Sequence, residues 1–163
     1  MFSSVRGTIA GLCLFICAGI ALAASDKDWD ECTQQKDHPL AISACTRILS
    51  ESGLSARDRS TALTNRGNAY DDNGDPERAL ADYTSAISID ARNNDAFFNR
   101  GITYRRKKEF QRSIADFDQA LRLNPKDADA LYYRGRSKID LGNKAEGDAD
   151  IAAARRINPD IGR

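Results

Sequence analysis

The sequence contains a single histidine, His38, and that shortage removes much chemistry at once. No Ser–His or Cys–His pair can be built away from it, and Asp37-His38-Pro39 reads as a turn. No glycine-rich phosphate loop follows a strand pattern. Asp71 and Asp72 are neighbours, but adjacent residues on a helix diverge and do not face one site. No catalytic residue and no cofactor motif is found, so the chain reads as non-catalytic. An excess of charge of either sign is also lacking: 24 basic and 24 acidic residues balance over 163. Such balance argues against a general nucleic-acid or membrane binder. Low-complexity stretches are absent, and long apolar runs are limited to one, Ile9 to Ala24.

That run follows Arg6 and ends in Ala21-Leu22-Ala23-Ala24-Ser25. A positive start, an apolar middle and an A-x-A end describe a secretory signal peptide, residues 1–23, cut after Ala23 or Ala24. A retained membrane anchor is the competing reading, but the run is shorter than the ~20 residues a span requires. Cleavage leaves about 140 residues, enough for one domain. Loss of Arg6 shifts the net charge to −1. An exported chain is expected.

Four cysteines are present, and Cys13 and Cys17 leave with the signal. The remaining pair, Cys32 and Cys45, suggests a disulfide, since even numbers in exported chains mark one. Helices are expected over about Asp26 to Gln35 and Leu40 to Ser50, one cysteine on each, so that residues 24–54 form a stapled hairpin. Zinc is the rival for these sulfurs, but Cys32, His38 and Cys45 supply three ligands where structural zinc takes four. No metal site is assigned.

The strongest positive feature is a period. Gly67, Gly101 and Gly135 stand 34 residues apart, each after an arginine. In units beginning at Ser60, Asn94 and Ala128, the fourth place holds Leu63, Phe97 and Leu131. The twenty-fourth holds Tyr83, Phe117 and Ile151, and the twenty-seventh Ala86, Ala120 and Ala154. Small residues at the eighth and twentieth places let antiparallel helices approach closely. Asn73-Gly74-Asp75-Pro76 is a turn with proline placed to open the next helix. Pro125 and Pro159 follow Asn124 and Asn158, where a helix must stop. A 34-residue period with these marks is that of a helix–turn–helix solenoid.

This pattern resembles the tetratricopeptide repeat family, over Ser60 to Pro159. The resemblance implies an all-α fold: a right-handed α-solenoid of antiparallel hairpins. The domain would span 55–163, with units 60–93, 94–127 and 128–161 and a degenerate amino-terminal hairpin. In that hairpin Cys45 takes the buried aromatic place, and an exported pseudo-repeat with this cysteine pair and the segment Cys45-Thr46-Arg47-Ile48-Leu49 resembles members of the family from the periplasm of Gram-negative bacteria, which implies that setting. The third unit departs from the pattern, with Lys138 for tyrosine and Gly147 for alanine. A helical glycine costs ~1 kcal/mol relative to alanine, so this unit is expected to be the least stable. Little follows Pro159, which leaves Ile151 and Ile157 expected to be partly bare; in the alternative, Lys144, Glu146, Asp148, Asp150, Arg155 and Arg156 make the last helix its own polar cap.

The family lines a concave groove with the first helix of each hairpin. The resemblance places there Thr64, Asn68 and Asp71 in the first unit, with Asp72 beside them. Phe98, Asn99, Ile102 and Arg105 follow in the second, and Tyr132, Tyr133 and Arg136 in the third. Amides can donate to and accept from an extended backbone, and aromatics anchor apolar side chains. Asn68 and Asn99 match the asparagines of a carboxylate clamp that some co-chaperones use. Thr64, Asp129 and Tyr133 occupy its cationic places, so an acidic tail is a poor ligand. A protein or peptide partner is expected, and self-association through the last helix into a homo-oligomer is the alternative. The run Arg105-Arg106-Lys107-Lys108 is either a solvated helix end or a patch for an anionic partner such as lipid headgroups. Arg66, Arg100 and Arg134 recur with Asp82, Asp116 and Asp150, and are expected to form a ladder of exposed ion pairs worth ~0–1 kcal/mol each.

Overall fold

A computed structural model describes residues 25–34 and 36–163. The expected signal, residues 1–23, lies outside them. Eight helices follow in order: α1 (Asp26–Thr33), α2 (His38–Leu49), α3 (Ala56–Asp72), α4 (Pro76–Ile89), α5 (Asn94–Arg106), α6 (Phe110–Leu123), α7 (Ala128–Asp140) and α8 (Lys144–Ile157). There is no strand among the described residues. None of the helices is long and apolar enough to cross a membrane.

Local chemistry sets most of the boundaries. Side chains of Ser25, Asp37, Ser55, Asp75, Asn93 and Asp127 each accept from the backbone amide three residues on, so six helices start on a capping residue. Two boundaries differ from expectation. Asp37 caps α2 and Pro39 sits in its first turn, so the helix begins at His38 rather than Leu40. His38 is therefore not an exposed turn residue but a half-buried first helical residue. α1 stops at Thr33 because Gln34 is already extended, with ψ 142°.

The turns inside the three hairpins share one device. Gly74, Lys108 and Gly142 occupy the same place in successive repeats and all have positive φ, at 82°, 61° and 100°. In each, the next residue's amide returns to a carbonyl in the last helical turn, Asp75 to Tyr70, Glu109 to Tyr104 and Asn143 to Lys138.

Each helix packs against the next along the chain. Beyond that, odd-numbered helices touch the next odd-numbered helix, whereas among the described residues no even-numbered helix touches the next even one. The stack therefore curves with α1, α3, α5 and α7 on its inner side. Within a hairpin the glycine of the first helix seats the large residue of the second. A Cβ on Gly67 would stand 2.6 Å from Cε1 of Tyr83, and one on Gly101 3.0 Å from that of Phe117. The aromatics thus fill room inside their own hairpin, with Phe117 also stacking on Tyr133 of the next at 6.3 Å. The third hairpin has a different solution: Gly135 and Gly147 face each other, and Ile151 is half-buried.

At the amino-terminal end Cys32 and Cys45 are joined, with S–S 2.08 Å. They pack with Ala44, Ile48 and Ala62 under Trp29, Leu49 and Leu54. In the chain-entropy picture a loop of this size contributes about 3 kcal/mol. No cluster of three potential metal ligands occurs among the described residues. At the other end, Ile157 is 46% exposed, while Ile161 folds back and is buried. Asp150, expected on the polar outer face of α8, is instead buried beneath Arg134 and Lys138.

The ion-pair ladder is present but is not exposed. Arg66 grips Asp82 through Nε and Nη2 at 2.7 and 2.8 Å, Arg100 grips Asp116 at 2.8 and 2.8 Å, and Arg134 grips Asp150 at 2.7 and 2.6 Å. The side chains in these pairs are 6–20% exposed. The third nitrogen of each arginine reaches back to the preceding hairpin: to Thr46 at 3.2 Å, Thr84 at 3.0 Å and Asp118 at 2.7 Å. Each arginine therefore ties its own hairpin shut and pins it to the one before.

Candidate functional site

Inner-face side chains at every third or fourth position of α3, α5 and α7 converge on the concave surface. The centre of that surface is an amide pair. Asn68 Oδ1 accepts from Asn99 Nδ2 at 2.9 Å and from the Tyr83 hydroxyl at 2.8 Å. Tyr83 is 1% exposed, and a buried phenol needs a partner. Its hydroxyl thereby sets which end of the Asn68 amide faces in. Asn68 Nδ2, one proton of Asn99 Nδ2 and the side-chain Asn99 Oδ1 are left with no partner among the described residues, beside a pocket of about 260 Å³ that both residues line. Asp71, Asp72, Ile102 and Arg106 complete its walls.

Charge in this pocket is unevenly satisfied. Asp71 accepts from the buried Thr103 hydroxyl at 2.7 Å and is paired with Arg106. Asp72, beside it at the end of α3, has no hydrogen bond or ion pair among the described residues. Burial pushes the Tyr83 phenol above its ordinary range, and the Asp72 charge pushes it further. Asn68 and Asp72 also border a smaller depression lined by Cys32, His38, Asn65 and Ala69, so the groove continues toward the stapled hairpin. The Nδ1 of His38 is buried there without a partner among the described residues.

The other expected groove residues are placed unequally. Thr64 is withdrawn: it is 3% exposed, and its hydroxyl bonds the Ser60 carbonyl at 2.9 Å and receives Asn93 Nδ2 at 2.9 Å. Phe98 is half-buried, edge-on to Phe117 at 5.7 Å and to Tyr133 at 6.0 Å. Tyr133 and Ile102 pack against the same core. Tyr132 meets Tyr133 edge-on at 5.4 Å, receives Arg136 Nη1 on its hydroxyl at 3.1 Å and lies against Gly162. Arg105 is bound to Asp140 at 2.6 Å, across to α7.

The basic run at residues 105–108 is largely neutralised. Arg105 pairs with Asp140, Arg106 with Asp71, and Lys107 with Glu77 at 2.6 Å, which leaves Lys108 as the one residue of the four without a carboxylate partner among the described residues. Tyr83 enters the site from the twenty-fourth place of its repeat, which the pattern marks only as large and mostly apolar. Its signal was the hydroxyl itself, at a place where the next unit has Phe117.

Fold and groove define an α-solenoid with an inward-facing polar cleft. Its repeats belong to a known kind. The tetratricopeptide repeat family model matches residues 60–93 and 95–127, so these two segments are tetratricopeptide repeats. No curated protein matches the sequence. Among solved structures, the first tetratricopeptide domain of Spaghetti (RPAP3), bound to HSP90 peptide SRMEEVD, superposes with a TM-score of 0.64 at 25% identity, covering 65% of this chain and 84% of that one. The second such domain, bound to the same peptide, gives 0.62 at 26% identity, covering 63% and 90%. MamA gives 0.67 at 17% identity, covering 75% and 69%, a likeness of fold. Tetratricopeptide domains are scaffolds for protein–protein interaction.

Proposed function

We propose that this chain is a non-catalytic adaptor that holds an extended segment of a partner protein in its inner groove. One observation carries the reading: the Asn68–Asn99 pair spans two repeats, is oriented by Tyr83, and keeps donors and an acceptor free over a pocket. That arrangement suits a peptide backbone, which offers one donor and one acceptor per residue. The two Spaghetti domains, which hold a peptide, support it. The setting is the cell envelope, on the strength of the amino-terminal A-x-A leader and the Cys32–Cys45 bridge. Self-association through the last helix is the second reading, and Ile157, 46% exposed, favours it. Light scattering after size exclusion separates the two, because assembly requires a mass that rises with concentration.

The groove is tested by selecting displayed random dodecapeptides on the oxidised protein, with an Asn99→Ala/Ile102→Ala double variant as parallel bait. Both positions are half-buried on the inner face. Ile102 also packs against the core, so alanine is used there, and the variant must match the wild type's helicity by circular dichroism before recoveries are compared. Peptides enriched on the wild type and lost on the variant support the groove. Equal recovery on both baits overturns it.

A further inference from the structure

The central pocket has an electrostatic demand that the fold itself leaves unmet. α3 ends on Asp71-Asp72 and carries no basic residue in its last turn, whereas the corresponding turn of α5 carries Arg105 and Arg106. A helix carboxyl terminus already presents partial negative charge, so two carboxylates there are unfavourable unless a cation answers them. Arg106 answers Asp71 from the next repeat. Asp72 is not answered among the described residues, although it lines both the pocket and the adjoining depression.

We propose that the pocket between α3 and α5 receives a single lysine or arginine side chain of the bound segment, with Asp72 as its counter-ion. The inference rests on the groove reading above and names the chemistry of its occupant. Size supports it: about 260 Å³ lies below the ~300–1,000 Å³ of small-molecule sites and suits one long side chain. The walls support it too. Ile102 offers an aliphatic surface to a methylene stem, and the side-chain Asn99 Oδ1 is an acceptor for the charged head. An acidic side chain would meet Asp72, and the one cation on the walls, Arg106, is already paired with Asp71. An apolar side chain would strip water from Asp72 and return nothing. The groove therefore prefers the opposite charge to the acidic peptide SRMEEVD held by the Spaghetti domains.

The test extends the same selection. Peptides enriched on the wild-type protein are sequenced, and the strongest is labelled and titrated by fluorescence anisotropy against wild type and Asp72→Asn. The replaced residue is exposed at a helix end, so the fold is retained. Enrichment of lysine or arginine, with binding weakened about tenfold or more by Asp72→Asn, is the expected result. Changing the selected basic residue to glutamine should weaken binding to wild type and leave Asp72→Asn nearly indifferent. Enriched peptides without a basic residue, or equal affinity for both proteins, overturn the pocket assignment and leave the groove standing. Equal recovery on wild type and the Asn99→Ala/Ile102→Ala bait overturns both.

Discussion

Gly135 and Gly147 face each other across the last hairpin so closely that neither tolerates a side chain. A Cβ on Gly135 would stand 2.7 Å from the Gly147 carbonyl oxygen, and a Cβ on Gly147 2.5 Å from that of Gly135. Both obstacles are backbone, which cannot swing aside. Alanine is the better helix former by about 1 kcal/mol, yet Gly135→Ala and Gly147→Ala should each destabilise the protein by about 1–2 kcal/mol through overpacking. Gly101→Ala should cost less, because its contacts with the Phe117 ring are longer, at 3.0–3.2 Å, and are with a side chain rather than with backbone. Urea midpoints for the three variants measure the order; a stabilised Gly147→Ala would show that the helices are free to separate.

Lys108 occupies the left-handed place that Gly74 and Gly142 hold in the neighbouring repeats. For a residue with a Cβ this conformation costs roughly 1–2 kcal/mol, offset in part by the smaller freedom that lysine loses on folding. Its charge has no carboxylate partner among the described residues to lose. Lys108→Gly should therefore stabilise the protein by about 0.5–1 kcal/mol, read as a higher urea midpoint with an unchanged slope.

Much of this architecture was legible in the chain. The 34-residue period, the turn at Asn73-Gly74 and the prolines after Asn124 and Asn158 are local signals, and local signals survive in a repeat because every unit solves the same packing problem. The partners in the ladder were legible for the same reason. What was hidden crosses from one hairpin to the next. The third bonds of Arg66, Arg100 and Arg134, and the capture of Thr64 by Asn93, depend on how hairpins rotate against each other. So does the neutralisation of Arg105 and Arg106 by carboxylates 35 residues away. The groove could be named by place in the repeat, but not which of its atoms remained free.

The buried ladder predicts an asymmetry between single and double replacements. Asp116 is held by two bonds from Arg100 in side chains 6% and 17% exposed. Arg100→Met removes the partner and leaves a carboxylate in a poorly hydrated place, which should cost about 3 kcal/mol or more. Replacing both, as Arg100→Met with Asp116→Leu, should recover much of that loss, because the desolvation of the charge disappears with it. A double-mutant cycle in urea measures the coupling. Additive losses would mean that the pair sits in water after all.

Acid should act through the last hairpin. Burial alone would raise the Asp150 carboxyl pKa, but hydrogen bonds and charge from Arg134 and Lys138 outweigh it and hold the value below its ordinary 3.8. A depressed folded-state value means that the folded protein binds the proton less readily than the unfolded chain. The stability this group contributes is therefore complete above about pH 4–5 and is lost as pH falls through the lower folded value. Asp28, Asp75 and Glu77 are also lowered by their partners, so the whole protein should lose stability over the same range. Asp150→Asn isolates the one contribution. The variant should be less stable at pH 7, since Arg134 and Lys138 lose their shared partner, and the gap to wild type should narrow as pH falls from 5 toward 2.5. Urea midpoints across that range supply the measurement; a gap that stays constant would place the Asp150 carboxyl at the same value folded and unfolded, and its two cations would then be bystanders.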